Sequence, residues 1–401
     1  MANTLKLGAG KWATGTDTVL AFNDLNNNIK PLPFSFSRAS SATIVNQSGL
    51  IETVGSGEPR IDFLGNTKGA LLLEPQRTNS FLYSNEFSNS NWNKNSSGID
   101  TSIGNNGINT NISISPEGSL NADRVNFLLQ SDIDVGINTS VSSSSGTTLL
   151  SSVWIKGEGS NIGKNISFHL KRASGGSYVG NYGTLELTSE WVRIKISPLT
   201  LIAGNNGVTL ILSSNDATSC LIYGAQLEQG SYATSYIPTS GQSGGVTRVG
   251  EVCNQTPPSG VIGQTEGTVY LDFTADTISA QTSNPVLWYM KDGGIGERYI
   301  ELYSNGSLVY LENNGSTIAN ITKTGLTVGR HKCVIAYKNN DMVFYVDGVQ
   351  VGSDVSGTPS GFSTFGLQYH QSFYTGQQKV NQVKLYNTRL SNAELQALTS
   401  N

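Results

Sequence analysis

The sequence predicts an all-β protein with two β-sandwich or jelly-roll domains in tandem, preceded by an extended N-terminal arm. Of its 401 residues, 13% are charged and 45 are glycine, which is typical of β proteins with many turns and unlike helical proteins. Short runs of alternating apolar and polar residues recur from about residue 120 onward. Clusters of Gly, Ser, Asn and Pro separate these runs, as they do in sandwiches and jelly rolls.

The N-terminal arm comprises residues 1–33, in which Trp12, Leu20 and Phe22 stand among Gly, Thr and Asn. This segment has too little apolar content to fold alone, so we expect it to pack on another part of the chain. Residues 34–80 follow as a β linker region, in which turn signals such as Ser-Gly separate short apolar runs.

Residues 81–248 are predicted to form a jelly roll, whose best-defined strand leads into a tyrosine-rich exit ending at Thr239. A period of two in this strand predicts a core face and an opposite face. The core face has Leu221, Tyr223, Ala225 and Leu227, and the opposite face has Gly224, Gln226 and Glu228. The polar pair on the opposite face is then either a ligand contact or a partner for neighbouring strands or subunits. We interpret the exit as a packed junction.

A connector rich in Gly, Ser and Pro places a domain boundary near residue 248, so residues 249–401 form the second sandwich. The Asp347-Gly348 pair is typical of a tight hairpin turn. Ser391 stands three residues before Glu394, which predicts a capping box and a short C-terminal helix.

Composition also excludes several classes of partner. The net charge is −4 and no long Lys/Arg block is present, so we predict no nucleic-acid partner. No apolar run reaches the roughly 18 residues that a membrane span needs, and the N-terminus lacks the apolar region of a secretory signal. Cys220, Cys253 and Cys333 are too few and too widely spaced for a disulfide framework or a metal site. We expect each of them to be a small buried hydrophobic residue.

The acidic residues form no recognisable catalytic pair, so we predict no enzymatic activity. A glycosidase needs two carboxylates roughly 5–9.5 Å apart on either side of a bond. The isolated carboxylates of the C-terminal segment are Asp272, Asp276, Asp292, Glu297 and Glu301. None of the three histidines has the spacing of a metal site or a catalytic triad. Asp292 among glycines suggests a calcium loop or a plain hairpin turn, and we predict no cofactor.

Aromatic and polar side chains on the polar side of strands are the candidates for ligand binding. Sugars stack their C–H faces on Trp or Tyr and exchange hydrogen bonds with polar side chains. The candidates for glycan binding are Trp154, His169, Tyr299, Glu301, Tyr303, Tyr369, His370 and Tyr374. The alternative is that these aromatic residues line a second sheet or a contact between subunits.

Two C-terminal motifs are HKCVIAYKNNDMVFYVDGVQVG and VNQVKLYNTRLSNAELQALT. They resemble the central hairpin and the closing strand and helix of the laminin-G-like, concanavalin-type lectin family. The resemblance covers about residues 262–401. It implies a two-sheet β-sandwich of a kind that commonly binds glycans or proteins.

A second set of motifs is FSRASSATIVNQSGLIETV, EPRIDF, GALLLEPQRTN and YGAQLEQGSYATSYIPT. It resembles a module of tailed-phage structural proteins, in which such a linker precedes a carbohydrate-binding-like jelly roll. This match covers about residues 34–248, and the N-terminal arm is similar to the virion-docking arm of fibre proteins in crAss-like phages. A β-helix repeat of the depolymerase type is not seen in the sequence.

The second resemblance implies a fibre on the virion surface, with a head fibre favoured, assembled in the bacterial cytoplasm as a homotrimer. The arm, with Trp12, Leu20 and Phe22, would dock on a capsid or other virion protein, and the sandwiches would bind bacterial surface glycan. The alternatives are a tail fibre or receptor-binding protein, a capsid decoration without binding, and a glycan-active enzyme with accessory binding modules.

Overall fold

The computed structural model describes residues 4–23, 30–132, 134–172, 180–203, 207–256, 260–278, 284–359, 361–368 and 376–400. The chain divides into two compact units. The first comprises Met1–Gly49, Thr53–Gln76 and Val249–Asn401, and the second comprises Leu50–Glu52 and Arg77–Arg248. Nearly all regular structure in both units is β, which confirms the predicted fold class.

The strands are numbered in chain order. Residues 1–76 contain β1 (Leu5–Gly8), β2 (Thr14–Gly15), β3 (Thr18–Asn23), β4 (Lys30–Ser37), β5 (Ala42–Val45), β6 (Ile51–Val54), β7 (Ile61–Asp62) and β8 (Ala70–Leu73). Residues 77–248 contain β9 (Arg77–Asn79), β10 (Asn93–Lys94), β11 (Ile108–Ile114), β12 (Leu120–Asn126), β13 (Ile137–Ser142), β14 (Thr148–Lys156), β15 (Asn165–Arg172), β16 (Gly180–Glu186), β17 (Val192–Thr200), β18 (Gly207–Ser213), β19 (Ser219–Gln229) and β20 (Val246–Arg248), with a 3₁₀ turn at Gly159–Asn161. Residues 249–401 contain β21 (Val252–Gln255), β22 (Glu266–Ala275), β23 (Val286–Lys291), β24 (Gly296–Leu302), β25 (Leu308–Asn314), β26 (Thr317–Lys323), β27 (Gly329–Lys338), β28 (Asp341–Val346), β29 (Val349–Asp354), β30 (Thr364–Leu367), β31 (Gln378–Tyr386) and the helix α1 (Asn392–Thr399).

In the first unit, antiparallel pairing runs without interruption from β29 to β26. The order is β29-β28-β27-β22-β31-β1-β3-β4-β21-β30-β23-β24-β25-β26. The two halves of this ribbon enclose one apolar core, to which Trp288, Tyr310 and Phe344 contribute. The result is a β-sandwich closed on one side by strands of the N-terminal arm, because β1 and β3 lie between β31 and β4.

The arm strands and the linker strands β4, β7 and β8 therefore belong to this sandwich, whereas β5 and β6 form a separate two-stranded sheet and β9 pairs with β20. Leu5, Leu7, Val19 and Ala21 are buried in the same core as the C-terminal strands, and β8 pairs with β31. The sequence analysis separated these segments because each alone has few apolar residues. Their alternating side chains fill one edge of a core that residues 249–401 leave incomplete. The arm therefore packs on another part of the chain, as predicted.

The three residues proposed for docking have different surroundings. Trp12 donates its indole N–H toward the carbonyl oxygens of Lys68 and Gly69, at 3.2 Å each. Leu20 and Phe22 are half-buried and alternate with core residues of β3, so they lie on the face turned away from the core.

The second unit contains two five-stranded antiparallel sheets, in the orders β10-β13-β18-β15-β16 and β11-β12-β19-β14-β17. One apolar core, which includes Val153, Leu170, Leu210 and Ile222, lies between them. This is the sandwich arrangement that the regularly spaced strands predicted.

The prediction for the two faces of β19 was correct after Gly224 but wrong before it, because Leu221 and Tyr223 do not face the core between the sheets. The pairing of β14 with β19 shifts register between Ser152/Gln226 and Trp154/Tyr223, and Gly224 has a φ of +63°. This β-bulge moves the alternation by one residue. Consequently Cys220 and Ile222 face the core before the bulge, Ala225 and Leu227 face it after the bulge, and Tyr223 joins a separate cluster with Ala122 and Tyr236.

Gln226 and Glu228 of β19 are fully buried against the exit that follows. The Gln226 amide accepts from the Ile237 N–H at 2.7 Å and donates to the Ser235 carbonyl oxygen at 3.2 Å. The Glu228 carboxylate accepts from the N–H and the hydroxyl of Thr234. These side chains hold the exit against its own strand. Gln226 and Glu228 are therefore partners of a neighbouring segment rather than ligand contacts.

Three smaller predictions are confirmed, namely the capping box, the hairpin turn and the burial of the cysteines. Ser391 and Glu394 form the capping box at the start of α1, and the Asp347-Gly348 turn has positive φ at both residues. Each of the three cysteines is buried in a core cluster. In the part of the chain that the structure describes, no helix has the length and apolar character of a membrane span.

Candidate functional site

A polar face lies on the outer side of the sheet β10-β13-β18-β15-β16 in the second unit. Leu170 of β15 is buried in the core, so His169 and Lys171 on either side of it point away from the core. Strand pairing places Ile211 on one side of His169 and Tyr182 on the other. We call His169, Lys171, Tyr182 and the nearby Asp134 the polar face.

Asp134 holds the polar face together. Its Oδ1 lies 2.9 Å from Nδ1 of His169 and 3.0 Å from Nζ of Lys171. Burial alone would raise the pKa of the Asp134 carboxyl, but hydrogen bonds from Lys171 and His169 outweigh it and lower that pKa below its ordinary value. The carboxylate is therefore ionised at neutral pH and fixes the orientation of two potential donors.

Tyr182 supplies an apolar surface beside these polar groups. It is 70% exposed, and its ring centroid lies 6.4 Å from that of His169 in an edge-to-face arrangement. Along the neighbouring row, the hydroxyls of Ser140 and Thr209 lie 2.7 Å apart. His169 and Lys171 are only 6% and 9% exposed, so the Tyr182 ring is the accessible part of the polar face and can stack on a sugar.

Trp154 lies on the opposite sheet, away from His169. The guanidinium of Arg193 lies 4.4 Å from its ring centroid, and the rings of Tyr236 and Tyr223 pack edge-on at 5.3 and 6.2 Å. Trp154 thus belongs to an aromatic cluster formed with the exit of β19. Its role in glycan binding stays a prediction.

A second candidate face lies on β24 of the first unit. Tyr299 and Glu301 share the side of β24 turned away from the core, and Tyr289 of β23 is paired directly with Tyr299. Glu301 is only 3% exposed, and burial raises the pKa of its carboxyl although hydrogen bonds with Asn284 and Tyr303 oppose the shift. The structure therefore brings together three predicted residues, Tyr299, Glu301 and Tyr303.

Sequence reasoning missed Tyr182, Asp134 and Tyr289. Alternation along β16 and β23 could have turned both tyrosines outward, but strand pairing is needed to show their neighbours. The remaining candidates Tyr369, His370 and Tyr374 lie outside the described residues.

The isolated carboxylates are engaged in local contacts. The ion pairs are Asp272 with Arg330 at 2.6 Å, Asp276 with Lys379 at 3.2 Å and Glu297 with Lys291 at 3.7 Å. The Asp292 carboxylate accepts from the Gly294 N–H at 2.6 Å, as in a hairpin turn. Over the described ranges, no group of three or more His, Cys, Asp or Glu side chains is placed to hold a metal ion.

A cleft of about 500 Å³ opens at the edge of the first unit, between the end of β26 and the turn that joins β28 to β29. We call it the edge cleft. Its lining residues are Thr322, Lys323, Thr324, Gly325, Leu326, Thr327, His331, Val346, Asp347, Val349, Gln350 and Val351. The sequence analysis did not identify it, because its residues come from separate strands and a loop.

His331 connects the two walls of the edge cleft. Its Nδ1 lies 2.7 Å from the Asp347 carboxylate, and its Nε2 lies 2.8 Å from the carbonyl oxygen of Thr327. Both partners are acceptors, so the ring satisfies both only when it is doubly protonated. The hydrogen bond with Asp347 raises the pKa of His331 above 6.5, against burial and the charge of Lys323.

We expect the His331–Asp347 pair to make the stability of the first unit pH-dependent. Because the pKa of His331 is raised in the folded state, its contribution is complete below 6.5 and is lost as pH rises through the folded value. The pKa of Asp347 is lowered, since hydrogen bonds from His331 and the Lys332 N–H outweigh burial, so its contribution is lost as pH falls below 3.8. Urea unfolding between about pH 6 and pH 9 measures the alkaline loss.

His331→Gln should remove most of that alkaline loss, whereas His169→Gln in the second unit should leave it unchanged. An equal pH dependence in native protein and His331→Gln would contradict the assignment.

No protein-family model matches the sequence, and no curated protein matches it. Among solved structures, the CBM40 of the Ruminococcus gnavus IT-sialidase bound to α2,3-sialyllactose is similar at 13% identity and a TM-score of 0.30, over 35% of this chain and 84% of that chain. The botulinum neurotoxin serotype D/C VPI 5993 binding domain is similar at 10% identity and a TM-score of 0.32, over 38% of this chain and 40% of that chain. At TM-scores this low, these similarities support no conclusion about the fold family or the function.

Proposed function

We propose that this protein is a non-enzymatic glycan-binding fibre of a bacteriophage particle, with a head fibre favoured over a tail fibre. The observation that supports glycan binding is the exposed ring of Tyr182 beside the Asp134–His169–Lys171 group. This face offers one stacking surface and several oriented polar groups, which is what recognition of a sugar requires. The pairing of Asp272, Asp276 and Glu297 with cations favours binding over hydrolysis.

The place on a virion rests on the resemblance of residues 34–248 to the phage module. Leu20 and Phe22 are apolar side chains on the outer face of β3, and we assign them to the docking contact with a capsid or other virion protein. In a homotrimer, weak glycan sites would act together, so that avidity replaces single-site affinity. Imaging of intact particles tests this role, and absence of the protein from the particle would overturn it.

Tyr182→Ala is expected to weaken binding of the full chain to its glycan by about tenfold, because the stacking surface is removed. Tyr182→Phe should retain most of the affinity, since the ring remains. Binding is measured on a glycan array and on envelope fractions of the host bacterium, and chromatography of the glycan should show no shortening.

Leu120→Ala is a matched control, because Leu120 is 61% exposed on the other sheet of the same unit. It should bind as the native protein does. Full affinity in Tyr182→Ala would reject the polar face as the site. Loss in Tyr299→Ala instead would transfer the function to the face on β24. Shortened oligosaccharides would reject the non-enzymatic part of the proposal.

A further inference from the structure

The edge cleft has one cationic group that the protein does not neutralise. Within it, His331 and Asp347 form an ion pair at 2.7 Å, so their charges cancel when the imidazole is protonated. Lys323 also lines the cleft, and its positive charge acts to lower the pKa of both His331 and Asp347. In the described part of the chain, Lys323 forms no ion pair. While the imidazole is protonated, the cleft therefore carries a net charge of about +1.

The other lining groups suit a small polar molecule with an apolar side. Thr322, Thr324 and Thr327 offer hydroxyls. The Gln350 amide oxygen accepts from the Tyr345 hydroxyl at 3.0 Å, so its side chain lies on the face of β29 opposite to Val349 and Val351. Val349, at the rim, is 64% exposed.

The size of the cleft also limits its ligand. A volume of about 500 Å³ lies in the range of sites for small molecules and is far below what a folded partner would need. A pyranose ring with one carboxylate matches these features, because it has several hydroxyls, an apolar C–H face and a single negative charge.

We propose that the edge cleft binds an anionic sugar unit, with its carboxylate on Lys323. The hydroxyls of the sugar exchange hydrogen bonds with the threonines, and its C–H face lies against Val349. This site is separate from the polar face, which lies in the other unit and depends on Tyr182. Experiments can therefore reject ligand binding at one site without rejecting it at the other.

The test uses the full chain and methyl β-D-glucuronide, with methyl β-D-glucoside as the neutral analogue. Binding is followed by calorimetry and by ligand-observed NMR. We expect the glucuronide to bind at least about tenfold more tightly than the glucoside, and Lys323→Met to abolish that preference. The preference should also decrease with added salt, since it depends on a partly exposed charge.

Lys338→Met is the matched control, because Lys338 lies at the far end of β27 and its side chain is 58% exposed. It should leave the preference intact. Lys323→Gln serves as a second variant, and thermal melts establish that both Lys323 variants fold. Equal affinity for the two sugars, no binding of either, or an unchanged preference in Lys323→Met would each overturn the proposal. Loss in Tyr182→Ala but not in Lys323→Met would assign the sugar to the polar face instead.

Discussion

Arg60→Met is expected to cost the first unit about 3–5 kcal/mol of its free energy of unfolding. Arg60 is fully buried, with Nη1 2.8 Å from the Glu74 carboxylate and Nε 2.7 Å from the Glu251 carboxylate. Arg38 contacts Glu251 from the other side, at 3.3 Å. All four side chains have no solvent exposure, so removal of one cation leaves a buried negative charge that water cannot reach.

This network connects strands that are distant in sequence. Arg60 also donates to the Thr43 carbonyl oxygen at 3.3 Å, and the Glu74 N–H donates to Glu251 at 2.8 Å. The contacts join the former linker region to the start of residues 249–401 inside one unit. Loss of Arg60 therefore removes the cation that Glu74 and Glu251 share, together with its contact to the Thr43 carbonyl oxygen.

Urea unfolding with tryptophan fluorescence measures the effect, and Lys338→Met is the exposed comparison. Lys338 pairs with Glu266 at 3.8 Å at the surface, and its loss should cost less than about 1 kcal/mol. A loss no larger than that of Lys338→Met would show that the buried network does not stabilise the unit.

The strands were largely predictable because their alternation depends only on neighbouring residues. Exceptions in the first unit include β21, which lies in the predicted connector, and β26, an edge strand whose apolar side chains are Ile318, Ala319 and Ile321. An edge strand buries less of its length, so its sequence shows less of the period. The incorporation of β1 and β3 into the sandwich was not predictable in the same way, because it depends on pairing with β31 at the other end of the chain.

The candidate site shows the same limit. Alternation correctly predicted that His169 points away from the core. The polar face around it, however, is formed by Asp134 in a preceding loop and Tyr182 on a neighbouring strand. Trp154 was turned outward as well, yet Tyr236 of the exit covers it. Whether an outward side chain meets solvent or another segment depends on contacts between distant residues, which a local period does not contain.

Gly224→Ala is expected to cost the second unit about 2–4 kcal/mol. A side chain at a φ of +63° is strained by roughly 1 kcal/mol, and overpacking adds roughly 1–3 kcal/mol. The added Cβ would lie 2.8 Å from Cε3 of Trp154 and 3.4 Å from Cε2 of Tyr236. Trp154 has little room to retreat, because Arg193 packs against its ring at 4.4 Å.

Gly159→Ala separates the two contributions, because Gly159 has a φ of +51° in the same unit and nothing lies within 4 Å of its added Cβ. That variant should show the backbone strain alone, about 1 kcal/mol in urea unfolding. The difference between the variants then measures the contact of the bulge with Trp154, and near-ultraviolet circular dichroism should change only in Gly224→Ala. Equal losses would mean that the ring moves aside freely. The bulge would then be maintained by its backbone conformation alone, and the folded-back exit with Gln226 and Glu228 would not depend on the aromatic cluster.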